Sequence, residues 1–176
     1  MVTEDLSKYI RSIPDFPKKG IVFKDITSLL VDKEGLRAAF RELYDFIKDQ
    51  KIDKVVGIES RGFMFGTMLA EKLDAGFVPI RKPGKLPGMT IRETYELEYG
   101  TDAIEIHADA IKKGDRVLMH DDLLATGGTM EASCRLVEKL GGEIVQISFL
   151  IELSFLNGRD KLKKYDIRSL ITYDSE

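Results

Sequence analysis

Asp121 and Asp122 stand side by side, and three residues further on the chain reads Thr126-Gly127-Gly128-Thr129. Adjacent carboxylates can accept hydrogen bonds from sugar hydroxyls, bind a metal, or face a cationic intermediate. A turn with two glycines that opens a helix does the opposite work. Its backbone N–H groups and the positive end of the helix attract an anion, and the threonine hydroxyls add donors. The aspartates cannot face that anion, because like charges repel. A ribose 5-phosphate would satisfy both halves, with its phosphate in the turn and its hydroxyls on the carboxylates. The plainer alternative is that the aspartates cap a helix and the glycines make a tight turn. No Gly-x4-Gly-Lys-Ser/Thr segment occurs in the chain, which argues against a P-loop nucleotide triphosphatase.

The elements around these residues predict a mainly parallel α/β sheet in a single domain. Short apolar runs at Lys54 to Ile58, Gly76 to Ile80, Arg116 to His120 and Glu143 to Leu153 read as strands. Between them the periodicity is helical, over 62–73 and from about Gly128 to Leu140. Strands alternating with helices imply right-handed crossovers and a sheet covered on both faces. In such a sheet ligands bind beyond the carboxyl ends of the strands, and the two aspartates lie just past Arg116 to His120. Upstream, Leu36, Phe40, Leu43 and Ile47 predict a helix from Lys33 to Lys51. Leu6, Ile10 and Ile13 predict a short helix over 3–13, and "IVFKDIT" reads as extended or loop-like. Residues 82–110 break the pattern. They are polar and rich in glycine and proline at first, then alternate Ile104 and Ile106 with Glu105 and His107, as a half-exposed strand does. An excursion of this length between core strands is usually a lid or binding loop.

Bulk properties narrow the class. The 176 residues suffice for one domain with a substantial core. The net charge of −3 argues against a broad nucleic-acid footprint. The single cysteine, Cys134, rules out a disulfide framework within the chain and suits a reducing cytoplasm. The first residues lack a secretory pattern, and no apolar run approaches the roughly 18 residues of a membrane helix.

Read together, "VLMHDDLLATGGT" resembles the phosphoribosyl-pyrophosphate signature of the type I phosphoribosyltransferases. "ESRGFMFG", "RKPGKLPG" and "YELEYGTDAIEIHADAI" resemble the adenine-specific branch of that family, and the likeness runs from about Ile13 to Leu170. The resemblance implies that fold, with 1–32 as a base-binding segment and 82–110 as a flexible catalytic loop and the strand after it. It implies conversion of adenine and 5-phosphoribosyl 1-pyrophosphate to AMP and pyrophosphate. Mg²⁺ would be held mainly by substrate, without a strong protein ligand, and the enzyme would be a cytoplasmic homodimer with no nucleic-acid or membrane partner.

The implied roles are as follows. Ala125, Thr126, Gly127, Gly128 and Thr129 hold the 5′-phosphate, and Asp121 and Asp122 the ribose hydroxyls. Ser60 and Arg61, with Arg81, Lys82 and Lys85, bind pyrophosphate. Glu98 acts on the imidazole side of adenine. The backbone at Val22 and the side chain of Lys24 meet the base edge, and Phe23 and Leu123 cover its faces. The residues alone allow Phe23 to be ordinary core, "GKLPG" to be an inert turn, and Glu96 to be a solvated strand residue. His120 reads as scaffold, His107 has no assigned role, Cys134 reads as a small buried hydrophobe, and Tyr95 and Tyr99 read as loop packing. Two other readings stay open: another purine base on the same site, or a regulator that kept the fold and lost catalysis. Against the latter, there is no room for a helix-turn-helix domain before Ile13, and the charge balance is acidic.

Overall fold

A computed structural model describes residues 5–96 and 100–175. Its centre is a five-stranded, wholly parallel sheet. The strands are β3 (Lys54–Ile58), β4 (Gly76–Ile80), β7 (Arg116–Leu124), β8 (Glu143–Leu153) and β9 (Ile167–Tyr173), in the order β4-β3-β7-β8-β9. Successive side chains of a strand face opposite ways, so each strand feeds two cores. Val55 and Leu118 pack beneath α2 (Lys33–Asp45) and α3 (Gly62–Lys72). Their neighbours Val56, Val117 and Met119 pack beneath α4 (Gly128–Lys139). The four strands read from the sequence and the three helices between and before them are all present.

The differences lie at the ends. The predicted helix over 3–13 is a 3-10 turn, Leu6–Tyr9, capped by the Asp5 carboxylate accepting from the Ser7 N–H. It gives way to β1 (Arg11–Ile13), which pairs antiparallel with β2 (Phe23–Asp25). Leu6 still reaches the core, so the apolar spacing reported burial correctly and the element wrongly. A single turn of helix, α1 (Thr27–Val31), follows β2. α2 ends at Asp45, although Ile47 beyond it is buried in the following turns. β7 does not stop at His120 but continues through both aspartates to Leu124.

The excursion after β4 is a hairpin, with β5 (Thr90–Glu96) antiparallel to β6 (Thr101–His107). It leans on the α4 face through buried Tyr95, Ile104 and Ile106. Two bonds fix its root: the Arg81 N–H donates to the Glu105 carbonyl at 3.0 Å, and the Glu105 N–H donates back at 2.7 Å. Glu93 ties its back to α4, accepting from Arg135 at 2.8 Å and pairing with Lys139. Glu105, expected on an exposed face, is 5% exposed and pairs with Arg92 at 2.6 Å. The alternation predicted the strand correctly but could not anticipate that an arginine on β5 would satisfy a buried carboxylate.

β9 went unread. "DIRSLITY" has a single polar-apolar alternation and lies at the sheet edge, where one face is half open.

His120 lies wholly buried in β7. Its Nδ1 stands 2.9 Å from Ser148 Oγ on β8, and the Phe65 ring meets it edge to face. Burial holds its pKa down to about 4, against the ordinary 6.5. The unfolded chain therefore takes up the proton first, and native stability falls as pH drops from about 6.5 towards 4. His120→Leu should remove that component. Urea midpoints measured near pH 7 and near pH 5 should lie closer together in the variant than in the parent. An undiminished gap would show that other groups set the acid response.

Candidate active site

The carboxyl ends of β3, β4 and β7 open onto one cleft of about 390 Å³, walled on its outer side by Tyr95 and Ile104 of the hairpin. Ser60, Arg61, Arg81, Lys82, Asp121, Asp122, Leu123 and Thr129 all line it. Residues widely separated in the chain meet here because parallel strands carry all their C-terminal ends to the same edge of the sheet.

Asp121 and Asp122 occupy successive positions of β7 and so leave it on opposite sides. Asp122 is 5% exposed. It points towards the start of α3, where Arg61 Nε stands 2.9 Å from its Oδ2. Asp121 keeps one edge open to the cleft, and its Oδ1 accepts the Asp122 N–H at 2.9 Å. Burial raises the Asp121 pKa well above the usual carboxylate range, and the neighbouring Asp122 charge adds to the rise. Burial also raises Asp122, against the pull of the Arg61 guanidinium. With one N–H on Asp121 and one guanidinium on Asp122, the pair keeps acceptor capacity to spare. Sugar hydroxyls supply donors.

Beyond Leu124 the chain turns into α4. Gly127 sits at φ +78°, a left-handed conformation that costs a residue with a side chain strain but glycine none. No side chain caps this helix end, so its first N–H groups are left to an external acceptor. A concavity of about 80 Å³ lies over the turn, lined by Asp121 and by Leu123 through Met130. The cleft and the concavity over the turn therefore share Asp121, Leu123 and Thr129 as common walls.

The cations at the opposite wall are held by acids the sequence reading did not single out. Glu59, in the residue before Ser60 and joined to it by a cis peptide, accepts from Arg81 Nε at 3.2 Å and from the Lys82 N–H at 3.0 Å, and it pairs with Lys85. Burial works against its charge, but Lys85, the Lys82 N–H and Arg81 together hold its pKa down to about 2. The Lys82 ammonium pairs with Asp102 of β6 and donates to Tyr95 Oη at 3.2 Å. Arg81 and Lys82 thus stand in place before any ligand arrives, one tied to the sheet and one to the hairpin.

Residues 26–174 match the phosphoribosyl transferase domain family. An adenine phosphoribosyltransferase from Christiangramia forsetii is 64% identical over 169 residues, which cover 96% of this chain and 99% of that protein. The chain belongs to this family. The crystal structure of the enzyme from Thermoanaerobacter pseudethanolicus, 54% identical, superposes with a TM-score of 0.94 over 98% of this chain and 100% of that one. That of the Saccharomyces cerevisiae enzyme complexed with adenine and an imino-altritol bisphosphate is 42% identical, with a TM-score of 0.85 over 93% and 94%.

Family membership sharpens the account of which expected residues meet. Ser60, Arg61, Arg81, Lys82, Asp121, Asp122, Leu123 and Thr129 share the cleft, and Ala125 through Gly128 adjoin it through the turn. Lys85 reaches it only through Glu59. Phe23 is brought alongside by Arg61, whose guanidinium lies 5.1 Å from the ring centre; Phe16 packs edge-on against the same ring at 5.2 Å. The Lys24 side chain, expected at the base edge, is 8% exposed. Its ammonium donates to Ser12 Oγ at 3.2 Å and lies 4.3 Å over the Tyr173 ring. Val22 is half-buried beside them. Glu98 lies outside the described residues. Tyr95, read as loop packing, is buried in the hairpin and faces the cleft. Glu59 carried one usable signal, a carboxylate directly before Ser60 and Arg61, residues meant for an anion, whereas Asp102 is twenty positions from Lys82 and carried none.

A carboxylate whose folded pKa is raised destabilises the native state as pH rises past its unfolded value. Asp121→Asn should therefore stabilise the protein near neutral pH by roughly 1 kcal/mol, or about 2–4 °C in Tm for a chain of this size. The same change should weaken ribose 5-phosphate binding. A thermal melt and a titration of one sample check both, and a variant that melts lower and binds normally would contradict this account of the site.

Proposed function

We propose that the protein transfers the phosphoribosyl group of 5-phosphoribosyl 1-pyrophosphate to adenine, giving AMP and pyrophosphate. The observation that carries this reading is the meeting of three unlike subsites in one cleft: a carboxylate pair for hydroxyls, a helix-opening turn for a phosphate, and paired cations for a leaving group. The choice of adenine is supported by the relatives named above, one of them solved with adenine and a sugar bisphosphate analogue.

In this reading the 5′-phosphate sits on Ala125 to Thr129, and the ribose hydroxyls donate to Asp121 and Asp122. The pyrophosphate meets Ser60, Arg61, Arg81 and Lys82, with Lys85 held nearby by Glu59. Charge grows on pyrophosphate as the bond to C1′ breaks, so cations fixed beforehand stabilise the transition state more than the bound substrate. Phe23 and Leu123 face the base, the Val22 backbone meets its edge, and Lys24, anchored on Ser12 and Tyr173, steadies that segment. Glu98 shares a proton with the imidazole side of adenine as N9 loses its own. Residues 82–110 form the hood that keeps water from the activated ribosyl centre.

The donor set fits Mg²⁺ carried in by substrate. No cluster of three or more metal-ligating side chains occurs among the described residues, whereas Asp121 and Asp122 face the place where ribose hydroxyls would be. The ion would neutralise charge on the leaving pyrophosphate. The same reading includes a homodimer, supported by large apolar side chains left on the surface, Val31 at 87% and Met64 at 42% exposure. It also includes a cytoplasmic setting, where the Cys134 thiol stays reduced; among the described residues no helix is long and apolar enough to cross a membrane.

Purified protein with Mg²⁺ should form AMP from adenine and 5-phosphoribosyl pyrophosphate, and should use hypoxanthine, guanine and xanthine poorly. Absence of AMP overturns the proposal. Glu98→Gln should lower kcat by about 10²-fold or more, in the range of general acid–base help, while binding of 5-phosphoribosyl pyrophosphate persists. Undiminished turnover would remove Glu98 from the mechanism.

A further inference from the structure

We infer that Gly158, at the start of the 3-10 segment Gly158–Leu162, is a positioning residue for 5′-phosphate recognition, holding the phosphate turn in shape from behind. The inference rests on the proposed function above and adds a part of the site that lies about thirty positions downstream of the turn.

Two stretches of backbone meet here at close range. A Cβ on Gly158 would lie 2.2 Å from the Ala125 carbonyl oxygen and 2.9 Å from Leu124 Cδ1. A Cβ on Gly127 would lie 2.5 Å from the Gly158 carbonyl oxygen. Each chain can come this close only because the other offers no side chain there. None of the residues of this segment lines the concavity over the turn, so the contact is on the side away from the ligand.

The segment takes its position from the sheet and not from the turn it supports. Arg159 grips Glu152, 5% exposed near the end of β8, with two donors at 2.6 and 2.7 Å. A third donor, Nη1, reaches the Ile167 carbonyl at the start of β9 at 3.3 Å. Glu152 is the register partner of Leu124, so the anchor sits beside the residue from which the turn departs. At the other end Leu162 is fully buried in the core beneath α4. A two-glycine turn is otherwise free to adopt many shapes. Gripping a phosphate by several N–H groups requires those groups to converge before the ligand arrives.

The test compares AMP with adenosine, which differ only in the phosphate, by calorimetric titration of the intact protein. The ratio of their Kd values reports the phosphate subsite alone. A methyl group at Gly158 must push the Ala125 carbonyl back by about 1 Å to reach an ordinary C···O contact of about 3.3 Å. Misplacement of that size can cost up to about 10²-fold, so Gly158→Ala should lower the AMP preference at least about tenfold while adenosine affinity stays within about twofold. Arg159→Met, which loosens the anchor without touching the turn, should lower it in the same sense, and it decides the matter if the alanine variant does not fold. Equal weakening of AMP and adenosine, or an unchanged ratio in the folded variants, overturns the inference. A parent protein with no preference for AMP would overturn the phosphate turn itself, and with it the proposed function.

Discussion

Burying Asp121 and Asp122 next to each other is the constraint around which the molecule is arranged. Two adjacent carboxylates at the end of a parallel strand lose water, and the Asp122 charge opposes the ionisation of Asp121. Arg61 offsets part of this cost from one side. Under the proposed function, a ligand rich in hydroxyl donors would relieve the remainder. Such sites give up stability for function. The rest of the sheet is correspondingly dry and well filled, with His120, Ser148 and the apolar side chains of β7 and β8 closed around the strand that bears the pair.

A related economy governs the cations. Arg81, Lys82 and Lys85 are not loose charges waiting for a phosphate; Glu59 and Asp102 already hold them. Their geometry is settled in advance, so under the proposed function an entering pyrophosphate would compete with single carboxylates. Lys82 also joins the sheet to the hairpin, since Asp102 and Tyr95 both belong to that hairpin. The position of the Lys82 ammonium is therefore coupled to that of the hairpin.

Much of the fold was legible in the chain because a buried parallel strand must be apolar on both faces. Lys54 to Ile58, Gly76 to Ile80, Arg116 to His120 and Glu143 to Leu153 could hardly be anything else. The edge strand Ile167–Tyr173 escaped because one of its faces is half open and its composition is mixed. The segment 3–13 misled because Leu6 and Ile13 serve different neighbours, a helical core and a small antiparallel pair, at a spacing that imitates one helix. Glu105 misled because a charge reads as exposed until its partner is known.

For the site, the sequence alone determined the chemistry of the parts. Adjacent aspartates, a glycine-paired turn and clustered cations have fixed preferences for hydroxyls and phosphates wherever they stand, because charge and hydrogen-bonding capacity belong to the residue. Only the tertiary structure decided which parts meet and what holds them. It placed Arg61 between Phe23 and Asp122, Glu59 among three cationic residues, Lys24 over Tyr173, and Gly158 against the turn at Ala125. These pairings depend on strand order and crossover, which bring distant residues to one edge of a sheet, and no local pattern in the chain records that distance.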